Sequence, residues 1–146
     1  MRENSGIKID LLLGRITKLW TRTKKQILDN CGLTHSQFEI LSAIYHFTAS
    51  RHEIIQIHLS EKTGIDPMTT STILRNLEKK GLITRVRGIQ NTRVVFVELS
   101  PNGYTVYKKA SKEIIVLNKS LYRRINSNNL TKELLLLSSE LGKINN

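Results

Sequence analysis

Apolar residues recur along most of this chain at spacings of three and four, the period of helices with one buried face. Over residues 7–30 they fall at Ile9, Leu12, Leu13, Ile16, Leu19, Trp20, Ile27 and Leu28. Lys8, Arg15, Lys18, Arg22 and Lys25 take the other side, and Gly32 ends the helix. Thr34 with Gln37 is a capping-box pair, which predicts a second helix over about 35–49, with Phe38, Leu41, Ile44, Tyr45 and Phe47 on its apolar side. Glu53-Ile54-Ile55 is too short to classify alone. A brief helix follows over about 56–62, closed by Thr63-Gly64. Asp66-Pro67 is a strong helix start, because Asp caps and Pro at the first helical position loses no hydrogen bond. That helix runs over 67–80, buries Thr70, Ile73, Leu74 and Leu77, and stops at Gly81.

Then the period changes to two. Residues 82–87 alternate, 88–92 read as a turn, and 93–99 are β-branched and aromatic, so 82–99 forms a hairpin. Ser100-Pro101 caps a further helix over 101–126, with a stripe at Tyr107, Ala110, Ile114, Leu117 and Leu121. The last helix, over 130–144, repeats Leu130, Leu134, Leu137, Leu141 and Ile144. The expected fold is mostly α with a small β-hairpin. Its middle is a winged helix-turn-helix: a short helix, a Gly-containing turn, a second helix and a two-stranded wing.

Charge changes the picture. The chain of 146 residues holds 23 Lys and Arg against 12 Asp and Glu, a net +11. That excess points to a polyanion, nucleic acid before an anionic membrane surface. Aromatics are only 5%, which weakens any reading based on stacking single-stranded bases. One cysteine excludes an internal disulfide framework and Cys-based zinc sites. No apolar run reaches the ~18 residues of a membrane span, and the N-terminus lacks a signal-peptide core. The expectation is a soluble, reduced, cytoplasmic protein without a membrane partner.

The central residues resemble the MarR family of bacterial transcription regulators. Leu77-Glu78-Lys79-Lys80-Gly81-Leu82-Ile83-Thr84-Arg85 is similar to the family's Leu-Glu-x-x-Gly-Leu/Ile-Ile/Val-x-Arg. Asn91-Thr92-Arg93 stands where the family has Asp-x-Arg on the wing, and Leu99-Ser100-Pro101-Asn102-Gly103 matches Leu-Thr/Ser-x-x-Gly. Leu59-Ser60-Glu61-Lys62-Thr63-Gly64-Ile65-Asp66 is similar to Leu-Ala-Glu-x-x-Gly-Ile/Val-Asp. The resemblance implies a homodimer on double-stranded DNA, with residues 34–100 as the DNA-binding module and 1–33 and 101–146 as dimerisation helices. It implies a repressor reading a pseudo-palindrome and released by a small aromatic or lipophilic effector. Two departures stand out. Asn91 replaces an acid that, in the family, braces the wing through an arginine. No cysteine occurs near the start of the first helix, where redox-sensing members carry one, and Cys31 lies at its far end.

Helix 67–80 carries the candidate reading residues Met68, Thr69, Ser71, Thr72, Arg75, Asn76 and Lys79 opposite its apolar side. Ser and Thr suit phosphates or thymine, Arg suits guanine and Asn suits adenine. The amides of Met68 and Thr69 favour phosphate. Residues 67–100 carry six bases and two acids, net +4, with Arg85, Arg87 and Arg93 on the hairpin. Arg87, nearer the tip, is the expected backbone or minor-groove contact; Arg93 is divided between DNA contact and bracing. The resemblance places an effector cleft at Trp20, Tyr45, His46 and Phe47. His35, His46, His52 and His58 form no ligand motif, so no metal is expected, nor any cofactor. No catalytic constellation appears and the chain is not read as an enzyme. The alternative function is a winged-helix interaction module docking an acidic partner.

Overall fold

A computed structural model describes the backbone of residues 2–50 and 53–145, with side chains from Ser5 onward. These residues form α1 (Arg2–Asn30), α2 (His35–Ser50), α3 (Gln56–Thr63), α4 (Pro67–Lys79), β1 (Ile83–Arg87), β2 (Val95–Leu99), α5 (Pro101–Leu121) and α6 (Ser127–Asn145). The chain divides into two compact units, Met1–Ser111 and Lys112–Asn146. The division falls inside α5 and does not follow the boundaries at 33/34 and 100/101.

In the first unit, local signals set each junction. The Thr34 hydroxyl accepts from the Gln37 amide, and Gln37 Oε1 accepts from the Thr34 amide, both at 3.1 Å. Gly64 ends α3 at φ 75°, a conformation that favours glycine. The Ile65 carbonyl after it accepts two hydroxyls, Ser60 at 2.6 Å and the buried Thr70 at 3.2 Å, which fixes the turn between α3 and α4. Leu41, Ile44, Leu59, Leu74, Leu77, Ile83 and Val97 are almost fully buried and bind α2, α3, α4 and the wing into one core. Glu53-Ile54-Ile55, ambiguous in the sequence, contributes a third, minimal strand: the Val97 amide donates to the Ile54 carbonyl at 2.8 Å, and Ile55 bridges Phe96.

The wing is antiparallel, with Thr84 opposite Glu98 and Val86 opposite Phe96. Alternation puts those four on the outer face, while Ile83 and Val97 face the core. Ser100 locks the wing base to α5. Its hydroxyl donates to the Gly81 carbonyl at 2.6 Å and accepts from the Gly103 amide at 2.9 Å. Gly103 is required there, because a Cβ would lie 1.8 Å from the Leu82 carbonyl oxygen.

Three sequence expectations change. Helix α5 ends at Leu121 rather than 126, since the chain turns through Tyr122–Ile125 and Asn126 caps α6 by accepting from the Asn129 amide. Strand β2 begins at Val95, leaving Arg93 in the wing loop. The stripe on α5 is not a free dimer surface at its start, because Tyr107 packs on Phe38 and Tyr45 with centroids at 5.7 and 4.7 Å, and Ala110 is fully buried.

Candidate nucleic-acid interface

Helix α4 buries Thr70, Ile73, Leu74 and Leu77 and turns its other side outward. Met68, Thr69, Thr72, Arg75, Asn76 and Lys79 are exposed and Ser71 is half-buried. The side chains along this face are ordered by one another. The Thr72 hydroxyl donates to the Met68 carbonyl, and the Arg75 guanidinium donates to the Thr72 oxygen, each at 3.2 Å. Arg75 is thereby drawn toward the start of the helix with most of its five donors still free for a base edge.

The start of α4 differs from expectation. Asp66 accepts from the Thr69 amide at 2.9 Å and from its hydroxyl at 2.6 Å. Those bonds, the Thr69 hydroxyl foremost, hold the Asp66 carboxyl below the usual carboxylate range. The Thr69 amide is therefore engaged, and a carboxylate already occupies the position where a phosphate would approach. Met68, 83% exposed just beyond the cap, is the most prominent group at this end.

The three wing arginines separate in role. Arg85 is four-fifths buried and bridges to Glu78 on α4 at 3.1 Å, so it ties the wing to α4 rather than facing outward. Arg87 is exposed, and its guanidinium donates to the Thr92 carbonyl at 3.2 Å across the wing loop. Asn91 accepts from the backbone amide of Arg93 at 3.1 Å, not from its guanidinium. Of the two roles open to Arg93, bracing across the loop is made instead by Arg87, which reaches the Thr92 carbonyl, while Arg93 lines a groove with Pro67 and Gln56. A tight loop makes this possible, since a Cβ on Gly88 would lie 2.6 Å from the Asn91 carbonyl oxygen.

Two residues escaped sequence reasoning. Ile89 stands at the wing tip, 97% exposed. Lys80, at the C-cap of α4, donates to the Gly32 carbonyl at 2.7 Å and to Gln37 Oε1 at 3.0 Å. It anchors the end of α4 to the corner between α1 and α2. Only the spacing across more than forty residues reveals it, so no local signal could.

The expected effector residues do not converge. Tyr45 lines a cleft between α2, the outer face of the wing and the start of α5. His46 is exposed with its ring edge-on to Tyr45, and Phe47 faces His58 at 6.3 Å. Of the three consecutive residues, Tyr45 alone lines that cleft, since neighbouring positions on a helix point in different directions. Trp20 lies on α1 under the Lys24 ammonium at 4.3 Å. Burial lowers the pKa of Lys24, with Glu39 opposing the shift. His35 pairs with Glu39 at 2.6 Å. His52 lies outside the described residues; among those described, no group of His, Cys, Asp or Glu is placed to hold a metal.

Residues 33–95 match the MarR family model. That stretch, less than half of the chain, is what resembles the MarR family. It is 33% identical over 92 residues to the HTH-type transcriptional regulator YdcH of Bacillus subtilis (strain 168), covering 63% of each chain. The match thus spans less than two thirds of that relative. Among solved structures, the S. aureus MepR–DNA complex superposes with a TM-score of 0.78 at 20% identity, over 93% of this chain and 97% of MepR. Bordetella bronchiseptica BpsR, whose DNA binding is regulated by 6-hydroxynicotinic acid, superposes with a TM-score of 0.73 at 20% identity, over 91% of this chain and 98% of BpsR. These likenesses show a winged-helix fold over more than nine tenths of the chain.

Proposed function

We propose that this chain is a DNA-binding transcription regulator of the MarR type, a homodimer that represses from a pseudo-palindromic site and is released by a small effector. Helix α4 reads the major groove through Met68, Ser71, Thr72, Arg75, Asn76 and Lys79, and the wing follows the backbone with Arg87 and Arg93. The observation that carries the reading is the outward polar face of α4, set on a fixed turn and flanked by a basic wing in a chain of net charge +11. The DNA-bound MepR and the ligand-regulated BpsR support it. The homodimer accounts for α1, where Ile9, Leu12, Ile16 and Leu19 are each at least 44% exposed along one side. It also accounts for α6, where Leu134, Leu141 and Ile144 are exposed and no residue is buried. Such stripes mark interaction surfaces. Two recognition helices about one DNA turn apart then read a site of matching symmetry. No described helix is long and apolar enough to cross a membrane.

The test is selection of binding sites from random duplex DNA, followed by affinity titration across salt and light scattering of the full chain. Expected are an enriched inverted repeat, an affinity that falls steeply with salt, and a dimer that Ile16→Glu converts to monomer. Failure to enrich any sequence, with an affinity indifferent to salt, would overturn the regulator reading and favour an acidic protein partner.

A further inference from the structure

The wing ends in a loop, residues 88–92, that carries no charged side chain in a chain of net charge +11. Ile89 stands there 97% exposed, ahead of every other large apolar side chain among the described residues. We infer that Ile89 is a wedge that enters the minor groove of duplex DNA and unstacks one base step in each half of the site. The inference rests on the DNA-regulator reading above and deepens it, adding a specificity-determining residue that acts without a hydrogen bond.

A single exposed isoleucine is ordinary on a protein surface. The loop beneath this one sets it apart. On a free loop such a side chain would fold back onto the neighbouring surface to leave water. Here the loop is held from both sides. The Gly88 amide donates to the Val94 carbonyl at 2.8 Å, and the Val94 amide donates to the Asn91 carbonyl at 3.1 Å. Asn91 Oδ1 accepts from the Arg93 amide at 3.1 Å, and the Arg87 guanidinium donates to the Thr92 carbonyl at 3.2 Å. Gly88 is buried under these bonds, its backbone packed against the Asn91 carbonyl. Ile89 therefore projects from a braced base. Such preorganisation lowers the cost of ordering a group on binding.

The chemistry of the tip fits a minor groove. That groove, about 6 Å wide, admits a side chain from a hairpin tip, and its base edges offer little beyond the distinction of A·T from G·C. Apolar wedges, isoleucine among them, insert between base steps from this groove, unstack them and kink the duplex. Pyrimidine–purine steps yield most easily, so a wedge reads deformability where no donor or acceptor is read. Arg87 and Arg93 flank the loop, and their charges attract the phosphates that border the groove. The Arg87 guanidinium is held back on the Thr92 carbonyl, which leaves the apolar side chain foremost.

The probe is the inverted-repeat duplex enriched by the selection above, with 2-aminopurine placed in turn at successive adenines of each half and a fluorophore pair on its ends. The full chain should brighten 2-aminopurine at one pyrimidine–purine step in each half and draw the duplex ends together. Ile89→Ala should abolish both effects while sequence-selective binding persists, and Ile89→Met, which keeps an apolar wedge, should retain both. Wild type should prefer TA over GG at that step by about tenfold, within what one base pair contributes, and Ile89→Ala should erase the preference. Ile89→Lys adds charge without a wedge, so it should bind at least as tightly at low salt yet leave the step stacked. Urea unfolding should coincide for all of these variants, because the side chain is exposed. Selective binding by wild type without brightening, or brightening and step preference unchanged in Ile89→Ala, would overturn the wedge and leave the regulator reading standing. Failure to enrich any sequence would overturn both.

Discussion

Replacing Glu78 with Gln separates two roles for Arg85. The pair is 3.1 Å apart, with the Arg85 side chain 20% and Glu78 41% exposed. Unit charges at ~4 Å attract by about 4 kcal/mol at an effective dielectric near 20 and about 1 kcal/mol in water. The exposure of Glu78 shifts the pair toward the lower figure, so a coupling of about 1 kcal/mol is expected. Urea unfolding of wild type, Glu78→Gln, Arg85→Gln and the double variant measures it as a double-mutant cycle. DNA affinity at several salt concentrations completes the test. A brace between wing and recognition helix makes both single variants weaken DNA binding, with the salt slope unchanged. A phosphate ligand behaves oppositely: Glu78→Gln removes a repelling charge and tightens binding, while Arg85→Gln lowers the slope by about one unit. That second pattern would refute the brace.

Gly103→Ala should destabilise the protein by about 3 kcal/mol or more, read by urea unfolding, because backbone must move to clear the 1.8 Å overlap with Leu82. Asn91→Asp should leave amide exchange across the wing nearly unchanged, since either side chain accepts from the Arg93 amide, while the added charge weakens DNA binding at fixed salt. Arg75→Ala should cost about 1–3 kcal/mol of specific binding and relax selectivity at one base pair; equal losses on random DNA would mark a phosphate contact instead. Asp66, with its pKa lowered mainly by the Thr69 hydroxyl, contributes stability above the usual carboxylate range and loses it as pH falls through its lowered value. The stability difference between wild type and Asp66→Asn should therefore shift only under strongly acid conditions, followed by unfolding at stepped pH.

Most element boundaries of this chain are written locally. Asp66-Pro67, the Thr34–Gln37 pair and Gly64 act through bonds that close within a few residues, so their outcome is legible from a short window. The change of period at residue 82 announces the wing for the same reason, as does the polar side of α4 opposite Ile73, Leu74 and Leu77. The end of α5 is not legible in the same way, because Asn126 competes locally as the cap of α6, and an apolar stripe carries no information about where such competition is won. What the arginines do is a different matter. Arg85, Arg87 and Arg93 are chemically alike and closely spaced, yet one reaches Glu78 on a helix, one reaches a carbonyl across the loop and one is left in a groove. Their partners depend on hairpin register and on the distance of the wing from α4, which arise from packing rather than from any short segment. The same holds for Lys80 on Gly32 and Gln37, and for the cleft where Glu53, Glu98, Tyr45 and Tyr104 meet from four separate stretches of chain. Contacts over such separations form because a shared core brings the elements together.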